Sequence, residues 1–331
     1  MAALAALPEP NIEALLEGDL DTAQLHALAD RIAARHAAAP KGDGDAFRKT
    51  LALSAATDAQ RGELAFHTDS IGRRIAAGRI RAVMGEPVDM LDDLAGTLID
   101  VMRAGLAGEA NTIANRYLDV APQGATGWAL LPLYLSLQAN GETELADSLL
   151  APARPRLVVI GGLSGTGKST LARLLGSRIG RLPGARVLRS DVFRKRLAGV
   201  SPETRLPPRH YTRRNDDETY EALFESADDH LACGNSVILD AVFMARSERD
   251  VAEALADRYR AGFTGIWLEA PEKDRIARVK ARENDASDAT EAVVREQSRR
   301  SVGEIHWHRV RANRPQELIV AAARAALDRT H

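Results

Sequence analysis

Eight consecutive residues, Gly162-Leu163-Ser164-Gly165-Thr166-Gly167-Lys168-Ser169, have the composition and spacing needed to hold a chain of phosphates. They match G-x-x-x-x-G-K-[ST] in full. The glycines let the backbone turn tightly and bring N–H groups up to an anion with no Cβ in the way. The helix that should follow adds its N-terminal dipole and free N–H groups. In this pattern the lysine, here Lys168, reaches the β- and γ-phosphates, and the hydroxyl of Ser169 ligates Mg²⁺. Gly162, Ser164, Gly165, Thr166, Gly167, Lys168, Ser169 and Thr170 are the nucleotide-binding candidates.

Other residues suit phosphate chemistry by their place in the chain. Asp191 follows an apolar run and precedes Arg194. A carboxylate at a strand end can take a proton from an acceptor hydroxyl or hold a water of the Mg²⁺ shell. It can equally cap a helix beginning at Val192. Asp240 ends Ser236-Val237-Ile238-Leu239 and is the second metal candidate beside Ser169; a simple loop carboxylate is the alternative. Arg275, Arg278 and Arg282 lie on one predicted helix, the last two four apart and on one face. On a lid over ATP they would stabilise the transferring charge. As a solvated face they would pair with Glu272 or Asp274. The basic stretch Arg205–Arg214 offers Arg209 and Arg213, with Arg194, to an anionic acceptor, or forms a solvated loop. Asn313-Arg314-Pro315, just past the last predicted strand, is where an adenine ring could pack in such a fold, with Asn313 as the binding candidate. His306 and His308, two apart around Trp307 without a carboxylate at ligand spacing, are read as structural.

These residues require a scaffold of alternating strands and helices. Apolar, β-branched runs predict strands at 157–160, 186–190, 236–240, 265–269 and about 306–311. Helical spacing predicts helices at 168–179, 191–198, 215–233, 247–261, 271–282, 289–303 and 315–328. The alternation implies a parallel sheet covered on both faces, with ligands beyond the carboxyl ends of the strands. Before the proline-bearing connector at 151–156, residues 1–150 read as an all-α domain. Leu25, Leu28 and Ile32 fall on one face of a helix with Asp21 as its N-cap, and further helices are expected near 46–78, 90–107, 108–119 and 127–148. The fold class is thus α/β, a P-loop NTPase-type parallel sheet over 157–331, with an all-α N-terminal domain.

Composition narrows the function classes. A chain of 331 residues suggests two domains, and 45% hydrophobic content suffices for both cores. A net charge of −2 gives no field to attract nucleic acid or an anionic membrane. The single cysteine, Cys233, excludes a disulfide framework within the chain and suits a reducing cytosol. The first eight residues lack the basic start of a signal peptide, and the longest apolar run, 129–135, contains Pro132. A cytoplasmic location is expected.

Residues 155–328 resemble the zeta-toxin-like and gluconate-kinase-like group of P-loop kinases. The resemblance rests on Gly161–Ser169, Arg189-Ser190-Asp191, Ile238-Leu239-Asp240-Ala241 and Asp285-Ala286-Ser287-Asp288-Ala289. It extends to bacterial proteins in which an aminoglycoside-phosphotransferase-like domain precedes such a kinase. Ala29–Pro40 and Arg116-Tyr117-Leu118-Asp119 resemble the C-terminal lobe of that domain. By that resemblance the family's catalytic His-Gly-Asp corresponds to Met84-Gly85-Glu86 within Arg81–Met90, so the first half reads as a degenerate remnant without phosphotransfer. It is left to shape the acceptor site, form a homodimer interface or bind a regulator. The resemblance implies ATP and Mg²⁺ as cofactors and transfer of the γ-phosphoryl group to a small hydroxyl compound oriented by Asp191. The acceptor is open among sugars, nucleosides, aminocyclitols and nucleotide sugars. An ATP-binding regulatory module is the alternative; a polynucleotide kinase fits less well, for want of an extended basic face.

Overall fold

A computed structural model describes residues 21–139, 141–281 and 286–329 of the chain. They form two compact units. One comprises the described residues of Met1–Pro122 with Leu130–Leu150; the other comprises Gln123–Ala129 with the described residues of Ala151–His331.

Helices dominate the first unit. Asp21 caps α1 (Thr22–Ala38), accepting from Gln24 N at 2.8 Å, and the Gln24 side chain accepts from Asp21 N at 3.0 Å. Leu25, Leu28 and Ile32 are buried on its inner face, as their spacing requires. The stretch expected to be helical near 46–78 divides into α2 (Gly44–Ser54), α3 (Asp58–Phe66) and α4 (Thr68–Ala76). Thr57 ends the continuity by capping α3 reciprocally with Gln60. Then comes an element that the sequence did not announce. β1 (Ile80–Val83) and β2 (Glu86–Asp89) form an antiparallel hairpin around Met84 and Gly85, whose φ values of 51° and 91° are both positive. Such a turn matches the twist of paired strands. Four residues a side are too few to show a period-two pattern. α5 (Met90–Arg103), α6 (Ala107–Val120), α7 (Gly124–Gln138, of which this unit holds the part from Leu130) and α8 (Thr143–Leu150) follow.

Several buried polar groups of this unit are paired. Arg74 donates to both oxygens of Asp89 at 2.6 Å, and Tyr134 Oη donates to Asp89 Oδ2 at 3.2 Å. His36 stands between Tyr117 Oη at 2.7 Å and Asp93 Oδ2 at 2.8 Å. Arg116 grips Asp30 with two bonds of 2.6 and 2.7 Å. Burial, abetted by Asp89 and Asp93 and opposed by a hydrogen bond from Gln138, pushes Asp92 up to about 6.

The second unit is built on a five-stranded, all-parallel sheet in the order β4-β5-β3-β6-β7. In chain order the strands and helices are β3 (Arg156–Gly161), α9 (Lys168–Gly176), β4 (Arg186–Arg189), α10 (Ser190–Leu197), α11 (Arg213–Ala232), β5 (Val237–Asp240), α12 (Arg246–Arg258), β6 (Gly262–Glu269), α13 (Glu272–Lys280), α14 (Glu291–Arg299), β7 (His308–Arg311) and α15 (Gln316–Asp328). The central strand β3 alternates between two cores. Leu157 and Val159 pack with α11 and α12, through Leu223, Leu231 and Leu255. Val158 and Ile160 pack with α9 and α15, through Leu171, Leu175 and Val320. This two-sided burial explains why β3 is apolar from Leu157 to Ile160 instead of alternating. Trp307 fills the first core rather than flanking a metal pair, and His306 is exposed. Cys233 is half-buried at the end of α11. Among the described residues, no helix is long and apolar enough to cross a membrane.

Candidate functional site

The glycine loop lies where the sheet topology expects a ligand, past the carboxyl end of the central strand. Gly162, Gly165 and Gly167 take φ values of 139°, 85° and 96°, in the range open to glycine. Two of them are also packed tightly. A Cβ on Gly162 would stand 2.6 Å from Leu268 O, and one on Gly165 would stand 2.6 Å from Arg275 O. Lys168 and Ser169 open α9 directly after the loop, so its N-terminal N–H groups face the same space. Lys168 Nζ lies 3.4 Å from Leu163 O, and Thr166 Oγ1 closes the loop on Leu163 O at 2.8 Å. Thr170 is exposed on the first turn of α9.

Arg278 packs onto the loop instead of facing solvent. Its guanidinium lies 3.4 Å from Gly165 O and 3.2 Å from Thr166 O, and donates to Ala312 O at 2.5 Å. Glu272, one of the partners expected for a solvated arginine face, pairs with Arg295 at 3.3 Å. Arg275 is buried and holds α13 to α14 through Ser298 Oγ at 2.6 Å. Burial lowers its pKa from the usual guanidinium value, opposed by Glu272. Arg282, the other lid arginine, lies outside the described residues, as does Asp285.

A cavity of about 240 Å³ opens beside the loop, lined by Thr166, Gly167, Leu171, Arg278, Arg314 and Ile319 among others. Its lining is mostly apolar and includes two arginines. A shallower depression of about 500 Å³ is lined by Glu269, Ala270, Pro271, Arg311, Asn313 and Arg314. Asn313 is exposed there and does not line the smaller cavity; its neighbour Arg314 lines both.

On the other side of the loop, β4 and β5 bring their ends together. Arg189 and Asp240 are paired in register, with Nε 3.3 Å from the buried Asp240 Oδ2. Asp191 is half-buried in the first turn of α10, where Arg189 is the N-cap. It therefore sits inside the helix and not at its cap. The hydroxyl of Ser169, which is half-buried, makes no hydrogen bond among the described residues. No group of three metal-ligating side chains is present among the described residues. A hydroxyl and a carboxylate nevertheless suit Mg²⁺, which keeps waters and takes substrate phosphates as further ligands.

The basic stretch is partly committed. Arg194 donates to His210 O at 3.0 Å and to Asp216 Oδ1 at 2.7 Å, and lies over the Tyr211 ring. An acceptor contact by Arg194 requires these bonds to open. Arg209 and Arg213 are exposed and make no ion pair or hydrogen bond among the described residues.

Two site-shaping residues escaped the sequence reading of roles. Asp288, quoted above only as part of a motif, collects three donors on one oxygen: Lys195 Nζ, Tyr211 Oη and, at 3.0 Å, Leu206 N. Burial acts to raise its pKa, and these donors more than offset it, so the carboxyl titrates below its ordinary range. Gln297 of α14 accepts from Ser164 N in the glycine loop at 2.8 Å.

Residues 157–302 match a family model described as an AAA domain. Uncharacterized proteins of Mycobacterium bovis and Mycobacterium tuberculosis are 31% identical over 183 residues, which is 54% of this chain and 36% of theirs. The chain thus spans about a third of the length of the curated relatives it matches. A gluconokinase of Sinorhizobium meliloti 1021 aligns at 21% identity over 53% of this chain and 93% of its own, with a TM-score of 0.38. An APS kinase of Mycobacterium tuberculosis, in complex with AMPPNP and APS, aligns at 22% over 54% and 98%, with a TM-score of 0.36. The parallel, helix-covered sheet with the glycine loop past its central strand gives the second unit a P-loop NTPase-type fold.

Proposed function

We propose that the chain is an ATP- and Mg²⁺-dependent kinase that passes the γ-phosphoryl group to a hydroxyl of a small molecule. The observation that carries this reading is the complete phosphate loop, with its glycines at positive φ, emptying into α9 beside a cavity of purine size. The N–H groups of the loop and α9 would hold the phosphates, and Lys168 would neutralise the bridging charge. The cavity's mostly apolar lining, with the guanidinium groups of Arg278 and Arg314, suits a flat aromatic ring. Ser169 and Asp240 would hold Mg²⁺, which supplies charge neutralisation at the β- and γ-oxygens. Asp191 would accept the proton of the attacking hydroxyl. Sugars, nucleosides, aminocyclitols and nucleotide sugars are the acceptor classes. Arg209 and Arg213 favour an acceptor bearing negative charge.

We read the first unit as a remnant that does not transfer phosphate and that serves as a homodimer surface. Its supposed catalytic stretch is a hairpin with an exposed turn, and Asp89 is committed to Arg74.

The test is ATP turnover with Mg²⁺, with and without pooled sugars, nucleosides and aminoglycosides. Stimulation by one pool is expected, and Lys168→Ala should lose at least about tenfold in ATP affinity or turnover while remaining folded. Unchanged turnover in that variant would remove the reading.

A further inference from the structure

The contact between Gln297 and the glycine loop has a consequence for the transferring group, given the kinase reading above. Ser164 N can only donate, so the atom facing it at 2.8 Å must be the carboxamide oxygen Oε1, and the orientation of the amide is fixed. Oxygen and nitrogen of one carboxamide are about 2.3 Å apart, so Nε2 lies within about 5 Å of Ser164 N. Nε2 has no hydrogen-bond partner among the described residues. The loop N–H at its third position is thus given to Gln297, and the same side chain returns two N–H groups to that neighbourhood.

The helix that carries Gln297 is firmly placed. Ser298 Oγ takes the bond from Arg275 Nη2 at 2.6 Å and donates to Val294 O at 2.8 Å. The α13 backbone at Arg275 approaches Gly165 so closely that no Cβ fits between them. A donor held by a backbone N–H on a docked helix is preorganised, and reorganises little when charge develops. Residue type matters here. A glutamate could accept from Ser164 N but would set a negative charge against the phosphate. A lysine or arginine could not accept that bond.

We propose that Gln297 donates a hydrogen bond to the γ-phosphoryl group during transfer. In that step the bond from the γ-phosphorus to the β–γ bridging oxygen breaks, and its electron pair leaves on ADP. A new P–O bond forms to the acceptor oxygen. The acceptor's proton passes to Asp191, or to solvent when the acceptor is water. Gln297 neither gains nor loses a proton.

The experiment uses the full chain with Mg²⁺, comparing wild type, Gln297→Met, Gln297→Glu and Lys168→Ala. Two quantities are read: affinity for ADP alone, and affinity for ADP with aluminium fluoride, which mimics the phosphoryl group in flight. Slow ATP hydrolysis, with water as the probe nucleophile, gives a rate alongside. Gln297→Met should weaken the aluminium fluoride complex and slow hydrolysis about 100-fold while ADP affinity changes by less than about threefold. Gln297→Glu keeps the bond to Ser164 N, so it should stay folded and lose at least as much. A residue that only staples α14 to the loop would behave differently. Gln297→Glu would then match wild type, or Gln297→Met would lose ADP affinity and thermal stability in step with the mimic; either result overturns the proposal. Wild type that fails to bind ADP or ATP would sink the kinase reading itself. Wild type that binds both complexes, with Gln297 variants indistinguishable from it, would sink the Gln297 proposal alone.

Discussion

Replacing Asp288 by asparagine should unsettle the second unit out of proportion to the size of the change. The Lys195 side chain is only 2% exposed, and its ammonium has Asp288 and Thr204 O as partners. Asparagine preserves the shape and can still accept from Leu206 N, but removes the charge. Taking one member from a buried ion pair costs roughly 3–5 kcal/mol, because the other charge stays desolvated and uncompensated. With the shape retained, the lower end applies, about 3 kcal/mol, or roughly 6–12 °C in unfolding midpoint for a unit of this size. Lys195→Met should cost less, about 1–2 kcal/mol, since Asp288 keeps Tyr211 Oη and Leu206 N as donors. The double variant should be milder than the sum of the singles by at least about 1 kcal/mol. Tryptophan fluorescence is a clean probe, because all three tryptophans, Trp128, Trp267 and Trp307, are buried in the second unit. The pH dependence has a definite sign. A carboxylate whose folded pKa is depressed stabilises above its unfolded pKa and loses that contribution as pH falls through the folded one. The gap between wild type and Asp288→Asn should therefore close below about pH 4. A midpoint shift under about 2 °C at pH 7, or strict additivity of the pair, would refute the reasoning.

Two further perturbations test other parts of the molecule. Gly165→Ala sets a Cβ 2.6 Å from a backbone carbonyl at a φ of 85°, and backbone cannot step aside as a flexible side chain can. A cost of about 2–4 kcal/mol and at least a tenfold loss of ATP affinity are expected, and unchanged affinity would show that α13 is not packed so closely on the loop. Asp92→Asn should stabilise the first unit at pH 7. A carboxyl raised to about 6 contributes stability while protonated and loses it as pH rises through that value. The shift would amount to about 3 kcal/mol for a fully buried group; the carboxylate is partly exposed, so about 1–2 kcal/mol is expected. Hydrogen exchange of the α5 amides should show wild type gaining protection from pH 7 to 5 after correction for intrinsic rates, and the variant lacking that gain; parallel profiles would count against the burial of Asp92.

Much of the second unit was legible because its signals are local. The glycine loop occupies eight consecutive residues, three of them glycines in backbone conformations that favour glycine, and the strand before it is apolar from Leu157 to Ile160 because both its faces are covered. Asp21 could be read as an N-cap from its own residue type and the Gln24 three places on. The hairpin at Ile80–Asp89 was missed because a ladder of four pairs with a Met-Gly turn shows neither a period nor a familiar turn pair.

Partners distant in the chain were decided only by packing. Gln297 meets Ser164 across 133 residues, and Asp288 meets Lys195 across 93. No local rule distinguishes these side chains from any other polar residue on an exposed helix or loop. Arg278 shows the same limit. Its helical spacing fits a solvated face as well as a lid, and only the approach of α13 to the loop turned its guanidinium toward Gly165 O and Ala312 O. Likewise the chain past β7 could offer either Asn313 or Arg314 to the small cavity, and the turn into α15 assigned Arg314. By itself the sequence determined the loop's conformation and the alternation of strands and helices, because backbone preference and side-chain period act within a few residues. Tertiary structure decided which side chains complete the site, because that depends on how separate elements pack against the loop.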